Sequence, residues 1–167
     1  MKTGHQMPKR PENAKDSNEI RWKWSSFEEL SKVKLYDILQ IRQQVFVLEQ
    51  NCLYQDIDRL DQSAWHLLAI NKNAQLMGYL RVVAPGKKYK EPSIGRVLVH
   101  PDQRKKGLGK RLLTEGMRRT QAQFPSQDIR ISAQLQLQAF YENAGFVPVG
   151  NPYLEDDIPH IEMLFSA

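Results

Sequence analysis

The sequence predicts one α/β domain built around a mixed β-sheet, and two observations carry this prediction. Its 167 residues suit a single domain, and 41% of them are hydrophobic, which is sufficient for a sizeable core. Segments of strand and helix period follow one another as strand, helix, hairpin, strand, glycine loop, helix, strand, helix and strand. Residues 1–19 are rich in Pro, Lys, Asn and Glu, so we predict a disordered basic leader before a domain at 20–167.

The first half of the domain predicts a strand, a helix and a hairpin. Apolar and charged residues alternate over 20–24, which is typical of a half-buried strand. Over residues 35–46, apolar side chains recur at spacings of three and four, which indicates an amphipathic helix, and a loop rich in acids follows at 49–61. Two apolar runs, 65–71 and 75–83, flank polar turn residues and predict a β-hairpin.

The second half is organised around a glycine loop. A strand at 94–100 leads into the loop at 103–110 and then into a helix at 108–122. Gly145 is placed to end a later helix as a left-handed cap. The remaining elements are one short helix and three short strands, which we predict at 137–144 and at 129–133, 146–149 and 160–165.

The net charge of +5 is unevenly distributed. Residues 87–119 hold eleven basic and three acidic side chains, and residues 1–24 hold six basic and three acidic ones. Residues 25–86 and 120–167 together carry thirteen acidic side chains against seven basic ones. The chain is therefore bipolar, and its basic part indicates a partner that carries several negative charges.

The sequence disfavours membrane insertion, secretion and disulfide bonding. The longest apolar runs, 45–48 and 67–70, are far too short to cross a bilayer core of about 30 Å. No apolar stretch follows the first basic residues, so we expect no secretory signal. Cys52 is the single cysteine, and we predict a small buried hydrophobic residue there rather than an acyl carrier. We expect a cytoplasmic protein with no membrane partner.

The glycine loop has the features of a phosphate site. Backbone N–H groups converge where the strand at 94–100 turns into a helix, and Gly107 and Gly109 leave the main chain open to a ligand. A solvated basic helix start is the alternative. Two nucleotide motifs are excluded, because Arg111 stands where a Walker loop needs Ser or Thr, and Leu112 where a dinucleotide fingerprint needs glycine.

The string Arg104-Lys-Lys-Gly107-Leu-Gly109 resembles the Arg/Gln-x-x-Gly-x-Gly/Ala loop of the GNAT superfamily of N-acetyltransferases. The strand before the loop, the helix after it and the later segment Phe140-Tyr141-Glu-Asn-Ala-Gly145-Phe146 occur in the order of that family. The resemblance covers residues 20–165. Three further segments, 42–52, 54–61 and 155–163, together with His66, look like the ElaA-type branch.

This resemblance implies a mixed, mostly antiparallel central sheet, flanked by helices, whose V-shaped splay surrounds the co-substrate acetyl-CoA. The main chain of Val97 and Val99 is implied to pair with the pantetheine arm, and a backbone amide at Val97 or Leu98 to polarise the thioester carbonyl. No metal is implied. Arg104 opens the motif, and the amides implied to face the pyrophosphate are those of Lys105, Lys106, Gly107, Leu108, Gly109 and Lys110.

Transfer of an acetyl group to an amine needs a proton donor for the departing thiolate and a base for the ammonium proton. The resemblance implies that Tyr141 is the donor, whereas the residues alone also fit a core tyrosine packed beside Phe140. The candidate bases rank as Glu49, His160 and then His66, with Glu155 also considered.

These base candidates have structural alternatives. A histidine in a strand is more often a packed residue than a base. Glu49 can instead pair with Arg42 or Arg81.

The acids of the two negative loops indicate a cationic acceptor, a small amine or a basic N-terminus. We predict that Asp56, Asp58, Glu155 and Asp156 contact it, with purely solvated loops as the alternative. Two competing hypotheses are a CoA sensor without transfer activity and a module that binds nucleic acid. Few aromatic residues accompany the basic ones, so we do not expect a nucleic-acid partner, and a homodimer is left open.

Overall fold

The computed structural model describes residues 19–51 and 54–167, which form a seven-stranded sheet flanked by helices. The strands are β1 (Arg21–Ser26), β2 (Ala64–Ile70), β3 (Leu76–Val83), β4 (Ser93–Val99), β5 (Ile129–Gln134), β6 (Val147–Glu155) and β7 (Ile158–Phe165). The helices are α1 (Lys32–Arg42), which continues as a π-helix over Gln43–Glu49, α2 (Leu108–Gln123) and α3 (Gln138–Glu142), with 3₁₀ turns at Asp61–Ser63, Pro101–Gln103 and Leu135–Leu137. The predictions for residues 1–18 and for Cys52 fall outside the described residues.

The sheet has the strand order β1-β2-β3-β4-β5-β7-β6. Neighbouring strands are antiparallel throughout, except that β4 and β5 are parallel. The predicted mixed and mostly antiparallel sheet is therefore confirmed.

Strands β4 and β5 separate almost as soon as they meet. They pair only at Ser93 and Arg130, so beyond this point no strand of the described residues pairs with the edge of β4 that faces β5. The register between β3 and β4 also shifts, which sets Arg96 and Val97 opposite Leu80. Arg96 has a φ of 51° at this bulge, and a bulge bends the strand that contains it. The predicted V-shaped splay is confirmed.

Helices α1 and α2 pack on opposite faces of the sheet, because successive residues of a strand point to opposite sides. Leu112 of α2 shares a core with Leu80, whereas Ile38 of α1 shares a second core with Tyr79. Gly116 lets α2 approach closely, since a Cβ at this position would lie 2.5 Å from the Leu80 side chain. Within residues 19–51 and 54–167, every helix is too short or too polar to cross a membrane.

The last hairpin is longer than the sequence indicates. We predicted a strand ending at residue 149 and an acidic loop at 155–157, but β6 continues to Glu155. A register shift halfway along β6 interrupts the alternation of its side chains, which concealed the strand in the sequence. Asp156 and Asp157 form the whole turn, with φ angles of 50° and 61°, as in tight two-residue hairpins.

Candidate functional site

The splay between β4 and β5 opens a cleft whose two sides come from distant parts of the chain. A cavity of about 320 Å³ lies in this cleft, between β4 and the β5, β6 and β7 side. A smaller cavity of about 80 Å³ adjoins it. Lys88, Arg96, Glu155 and His160 line both. Because the sequence analysis predicts that Asp58, Glu155 and Asp156 contact an acceptor, we refer to the two cavities together as the acceptor cavity.

The loop between β4 and α2 leaves its main chain open. Lys105 and Gly107 have φ angles of 59° and 77°, and α2 begins directly after Gly107 with its first backbone N–H groups unpaired in the helix. A Cβ on Gly107 would meet no atom within 4 Å, and one on Gly109 would touch only Val99 at 3.7 Å and Phe140 at 4.0 Å. An anion therefore has room at the positive end of the α2 dipole.

Glu49, at the end of the π-helix, holds the start of this loop. Both of its carboxylate oxygens accept hydrogen bonds from the Arg104 guanidinium, one of them at 2.9 Å. Arg104 also donates to the Val99 carbonyl at 3.2 Å. The hydrogen bond from Arg104 lowers the pKa of Glu49 below its usual value. Glu49 is therefore ionised and already engaged.

The acidic loop before β2 is neutralised by three arginines from separate elements. Arg42 of α1 contacts Asp56 at 2.8 Å and Asp61 at 2.7 Å, and it is fully buried. The Arg81 guanidinium of β3 contacts Asp58 at 2.6 Å and the same Asp61 at 2.8 Å. These carboxylates hold the loop against the sheet. We define the ion-pair network by its three acids and three bases, Asp56, Asp58, Asp61, Arg42, Arg81 and Arg96.

Arg96 joins this network from the bulge of β4. Its Nε lies 2.7 Å from Asp56 Oδ1, and its Nη2 lies 3.4 Å from Asp58 Oδ2. Nη2 also donates to the Asp56 carbonyl at 3.2 Å, and the guanidinium stacks 5.4 Å from the centre of the Tyr54 ring. The loop is thereby tied to the strand that forms one side of the cleft.

His66 lies beneath this network in the core. It is 0% exposed, its Nδ1 lies 2.8 Å from the Tyr79 hydroxyl and its Nε2 lies 3.1 Å from the Asp61 carbonyl oxygen. Burial lowers the pKa of His66. Both ring nitrogens are engaged, and the side chain is closed off from solvent.

Among the described histidines, His160 is the one that lines the acceptor cavity. Its Nδ1 lies 2.8 Å from the Ile158 carbonyl oxygen, which can only accept, so Nδ1 carries the hydrogen. The neutral ring then has its lone pair on Nε2. Beside it, the Glu155 carboxylate accepts a hydrogen bond from Ser132 Oγ at 2.9 Å. The pair presents an imidazole nitrogen with a lone pair and an oriented carboxylate to the same cavity.

Tyr141 lies in α3, next to Phe140, whose ring lies 4.0 Å from the position of a Cβ on Gly109 in the glycine loop. It is 7% exposed and packs edge-on against Phe140 and Phe146, with ring centres 5.1 Å and 5.9 Å away. Burial raises the pKa of Tyr141 to about 12, so its hydroxyl keeps its proton at neutral pH. A larger cavity, of about 730 Å³, lies between α2 and α3 and is lined by Lys110 and Phe140 among others.

The sequence model of the Acetyltransferase (GNAT) domain matches residues 29–166, which is most of the chain. The chain belongs to the GNAT acetyltransferase family. A UPF0039 protein of Synechocystis is 41% identical to this GNAT chain over 149 residues, which are 89% of this chain and 97% of that protein. Protein ElaA of Escherichia coli is 39% identical over 146 residues, which are 86% of this chain and 95% of ElaA.

Solved structures agree with this family. The crystal structure of an acyl-CoA N-acyltransferase from Pseudomonas aeruginosa is similar with a TM-score of 0.84 and 38% identity, covering 89% of this chain and 100% of that one. The crystal structure of Escherichia coli ElaA is similar with a TM-score of 0.83 and 37% identity, at the same coverage. The fold of this GNAT chain is thus that of an acyl-CoA N-acyltransferase.

The structure separates the residues that the sequence placed in one active site. The cofactor candidates form one continuous region, made of β4 residues Val97, Leu98 and Val99 and the loop from Arg104 to Lys110. Asp58, Glu155, Asp156 and His160 line the acceptor cavity together. Glu49 contacts the loop, whereas Asp56 and His66 are buried away from the cavity lining.

Several residues of the acceptor cavity were not singled out by sequence reasoning, among them Lys87, Lys88, Arg96 and Ser132. Arg96 and Lys88 were counted only as members of the basic segment, and Ser132 was not considered. The positive φ of Arg96 and its place in a bulge leave no mark in the sequence, because arginine rarely adopts this backbone conformation. The acceptor cavity is formed by contacts between elements that are distant in the chain, and local sequence patterns do not predict such contacts.

Proposed function

We propose that this GNAT domain transfers an acetyl group from acetyl-CoA to the primary amine of a small molecule, while both substrates are bound. The observation that carries the proposal is the cleft between β4 and β5. It joins an unpaired strand edge, an open glycine loop and a cavity that contains His160. A strand edge, an anion site and a base are the three parts that this two-substrate reaction requires.

The chain offers coenzyme A three kinds of contact. The amides of 105–110 and the positive end of α2 suit the pyrophosphate. The unpaired edge of β4 at Val97 and Val99 suits the pantetheine arm, because its amide groups can hydrogen-bond a strand edge. The cavity between α2 and α3 has room for the remainder of the molecule. Acetyl-CoA itself supplies the activated acyl group as a thioester.

His160 is the base in this proposal, in place of Glu49 or His66. Its Nε2 carries a lone pair, whereas Glu49 is held by Arg104 and both ring nitrogens of His66 are hydrogen-bonded. His160 takes one proton from the ammonium group of the acceptor, directly or through a water molecule. The neutral amine can then form the new bond to the acetyl carbon.

Two further groups act while the N–C bond forms and the C–S bond breaks. The backbone N–H of Val97, in the bulge of β4, or of Leu98, directly after it, stabilises the negative charge on the carbonyl oxygen. Tyr141 donates its proton to the departing sulfur. The proton that the amine nitrogen loses on becoming an amide restores the tyrosine through solvent. The products are an acetamide and free CoA thiol, with one proton released.

A screen of primary amines with acetyl-CoA, read by the release of free thiol, tests this function. His160→Gln should lower kcat/KM by about 100-fold, the lower end of the usual contribution of a general base. It should leave the thermal stabilisation by acetyl-CoA unchanged. His100→Gln is the matched control, because His100 follows β4 outside the acceptor cavity and should keep full turnover.

Three outcomes would contradict the proposal. Saturable binding of acetyl-CoA, with no CoA thiol released in the presence of any amine, would favour a CoA sensor. Salt-dependent retention on nucleic acid without acetyl-CoA binding would favour the nucleic-acid module. Unchanged turnover in His160→Gln would remove His160 from the mechanism.

A further inference from the structure

We infer that the acceptor of this reaction carries a carboxylate as well as its amine, as a free amino acid does. The inference rests on the proposed function and names the substrate class of its acceptor cavity. It comes from the distribution of charge around that cavity, where acids and lysines without counter-ions stand on different elements.

The ion-pair network contributes almost no net charge to the cavity. Its three aspartates and three arginines balance one another. Asp58 and Arg96 line the cavity, but each already faces an opposite charge. The charges that remain to select a ligand are therefore those outside the network.

The β6–β7 hairpin supplies the negative charge. Glu155 and Asp156 line the cavity, and among the described residues no Lys or Arg lies within ion-pair distance of either. The tight turn at Asp156 and Asp157 fixes the end of the hairpin, and Ser132 orients the Glu155 carboxylate. An ammonium group that binds here lies beside His160, the base of the proposed reaction.

The turn after β3 supplies the positive charge. Lys87 and Lys88 line the cavity from this turn. Two backbone hydrogen bonds fix it, from the Gly86 N–H to the Tyr89 carbonyl at 2.6 Å and from the Lys87 N–H to the Ala84 carbonyl at 3.3 Å. The Lys88 ammonium lies 5.3 Å from the centre of the Tyr89 ring. In the described part of the chain, no carboxylate lies within ion-pair distance of either lysine.

A ligand with both charges complements this arrangement. Its ammonium faces Glu155 and His160, and its carboxylate supplies the counter-ion that Lys87 and Lys88 lack. A diamine would instead bring a second cation towards the lysines, which is unfavourable. The main part of the acceptor cavity, at about 320 Å³, is at the small end of the range for ligand pockets, which suits a molecule the size of an amino acid.

Matched pairs of acceptors test this inference. Each L-amino acid of a panel is compared with its own carboxamide, which keeps the shape and the amine but loses the negative charge. The best amino acid should have a kcat/KM about tenfold above that of its amide, which corresponds to about 1.4 kcal/mol. The amide has the less basic amine, which by itself favours the amide, so the expected preference runs against intrinsic reactivity.

The double variant Lys87→Gln/Lys88→Gln should remove most of this preference by raising KM for the amino acid, with kcat and the amide kinetics unchanged. Lys90→Gln is the matched control, because it also replaces a lysine by glutamine close by in the chain. The Lys90 side chain is 86% exposed and does not line the cavity. Equal or better turnover of the amides by the unmodified protein would overturn the inference. So would an equal loss for acids and amides in the double variant.

Binding separates this inference from the proposed function. With the protein saturated by free CoA, no acetyl group can be transferred, and calorimetry measures the affinity for amino acids and amides alone. Tighter binding of the amino acid, abolished in the double variant, supports the inference even if acetyl-CoA yields no product, a result that would overturn only the acetyl transfer. Turnover of amines without a carboxylate preference would overturn the inference and leave the transfer intact.

Discussion

The carboxylate of Glu49 and the guanidinium of Arg104 form a two-pronged hydrogen-bonded pair that ties the end of the π-helix to the start of the glycine loop. The two residues lie 55 positions apart in the chain. Their pairing joins the helix next to the acceptor cavity to the loop proposed to bind coenzyme A. It also gives Glu49 a structural role, since an ionised carboxylate held by arginine is a weak proton acceptor.

Replacing Glu49→Gln should therefore leave kcat within about threefold of the original value, far from the 100-fold or larger loss expected for a general base. KM for acetyl-CoA should rise by less than about fivefold, because a solvent-exposed ion pair contributes at most ~1 kcal/mol. Steady-state kinetics with varied acetyl-CoA measure both values. A loss of kcat comparable to that of His160→Gln would return Glu49 to the place of the base.

Replacing Tyr141→Phe should lower kcat by about 100-fold while acetyl-CoA binding and thermal stability change little. The ring contacts with Phe140 and Phe146 persist in this variant, and only the hydroxyl proton is lost. Tyr36→Phe, at a side chain that is 71% exposed on α1, is the matched control. Unchanged turnover would leave Tyr141 as a core residue alone.

Replacing Gly107→Val should weaken acetyl-CoA binding by at least about tenfold. The side chain would fill the open space above the loop amides, and it would also strain a φ of 77° by about 1–2 kcal/mol. Gly150→Val is the matched control, because Gly150 in β6 has the same φ and equally open surroundings. Calorimetry with CoA distinguishes the two. Equal weakening in both variants would mean that strain alone, and not occupation of a phosphate site, explains the effect.

The ion-pair network should make stability depend on pH in the acid range. Burial by itself raises the pKa of Asp58, but the hydrogen bonds and charge of Arg81 outweigh it and hold the pKa at about 2. A carboxyl group whose folded pKa is below its unfolded value of about 3.9 stabilises the fold above that value and loses this contribution as the pH falls towards 2. The contribution of ionised Asp58 is about 2 kcal/mol.

Asp58→Asn should accordingly lower the free energy of unfolding by about 2 kcal/mol at pH 7, and the difference should close as the pH approaches 2. Urea unfolding of both proteins at pH 7, pH 4 and pH 2.5 measures this difference in free energy. Asp102→Asn changes a carboxylate that is 83% exposed and should have little effect at any of these values. If the difference in free energy of unfolding between the Asp58→Asn variant and the original protein stayed constant with pH, the lowered pKa of Asp58 would be contradicted.

Local patterns in the sequence were enough to predict most of the fold. The helix that starts after Gly107 and the hairpin around residues 71–75 rest on periodicity and turn residues, which act over a few positions, and both appear in the structure. The extension of β6 to Glu155 was missed, because its register shift breaks the alternation on which a strand prediction depends. The glycine loop is formed by consecutive residues and exposes main-chain groups, so its position could be predicted from the sequence motif alone.

The acceptor side was not predictable in the same way. Asp56 and Asp58 looked like parts of a negative loop, and only the folded chain brings Arg42, Arg81 and Arg96 against them. Glu49 was expected either to act as a base or to pair with Arg42 or Arg81, and it pairs with Arg104 instead.

By itself, the sequence determined the order of the elements, the position of the glycine loop and the family, because hydrophobic period, glycine placement and motif spacing are local properties. Tertiary structure alone decided which charges are paired and which remain to meet a ligand. Ion pairs form between side chains that lie within a few ångströms of each other, and this proximity arises only when α1, β3, β4 and the acidic loop pack together. Lys87 and Lys88 consequently line one cavity with Glu155 and His160, although the two lysines lie far from the other two residues along the chain.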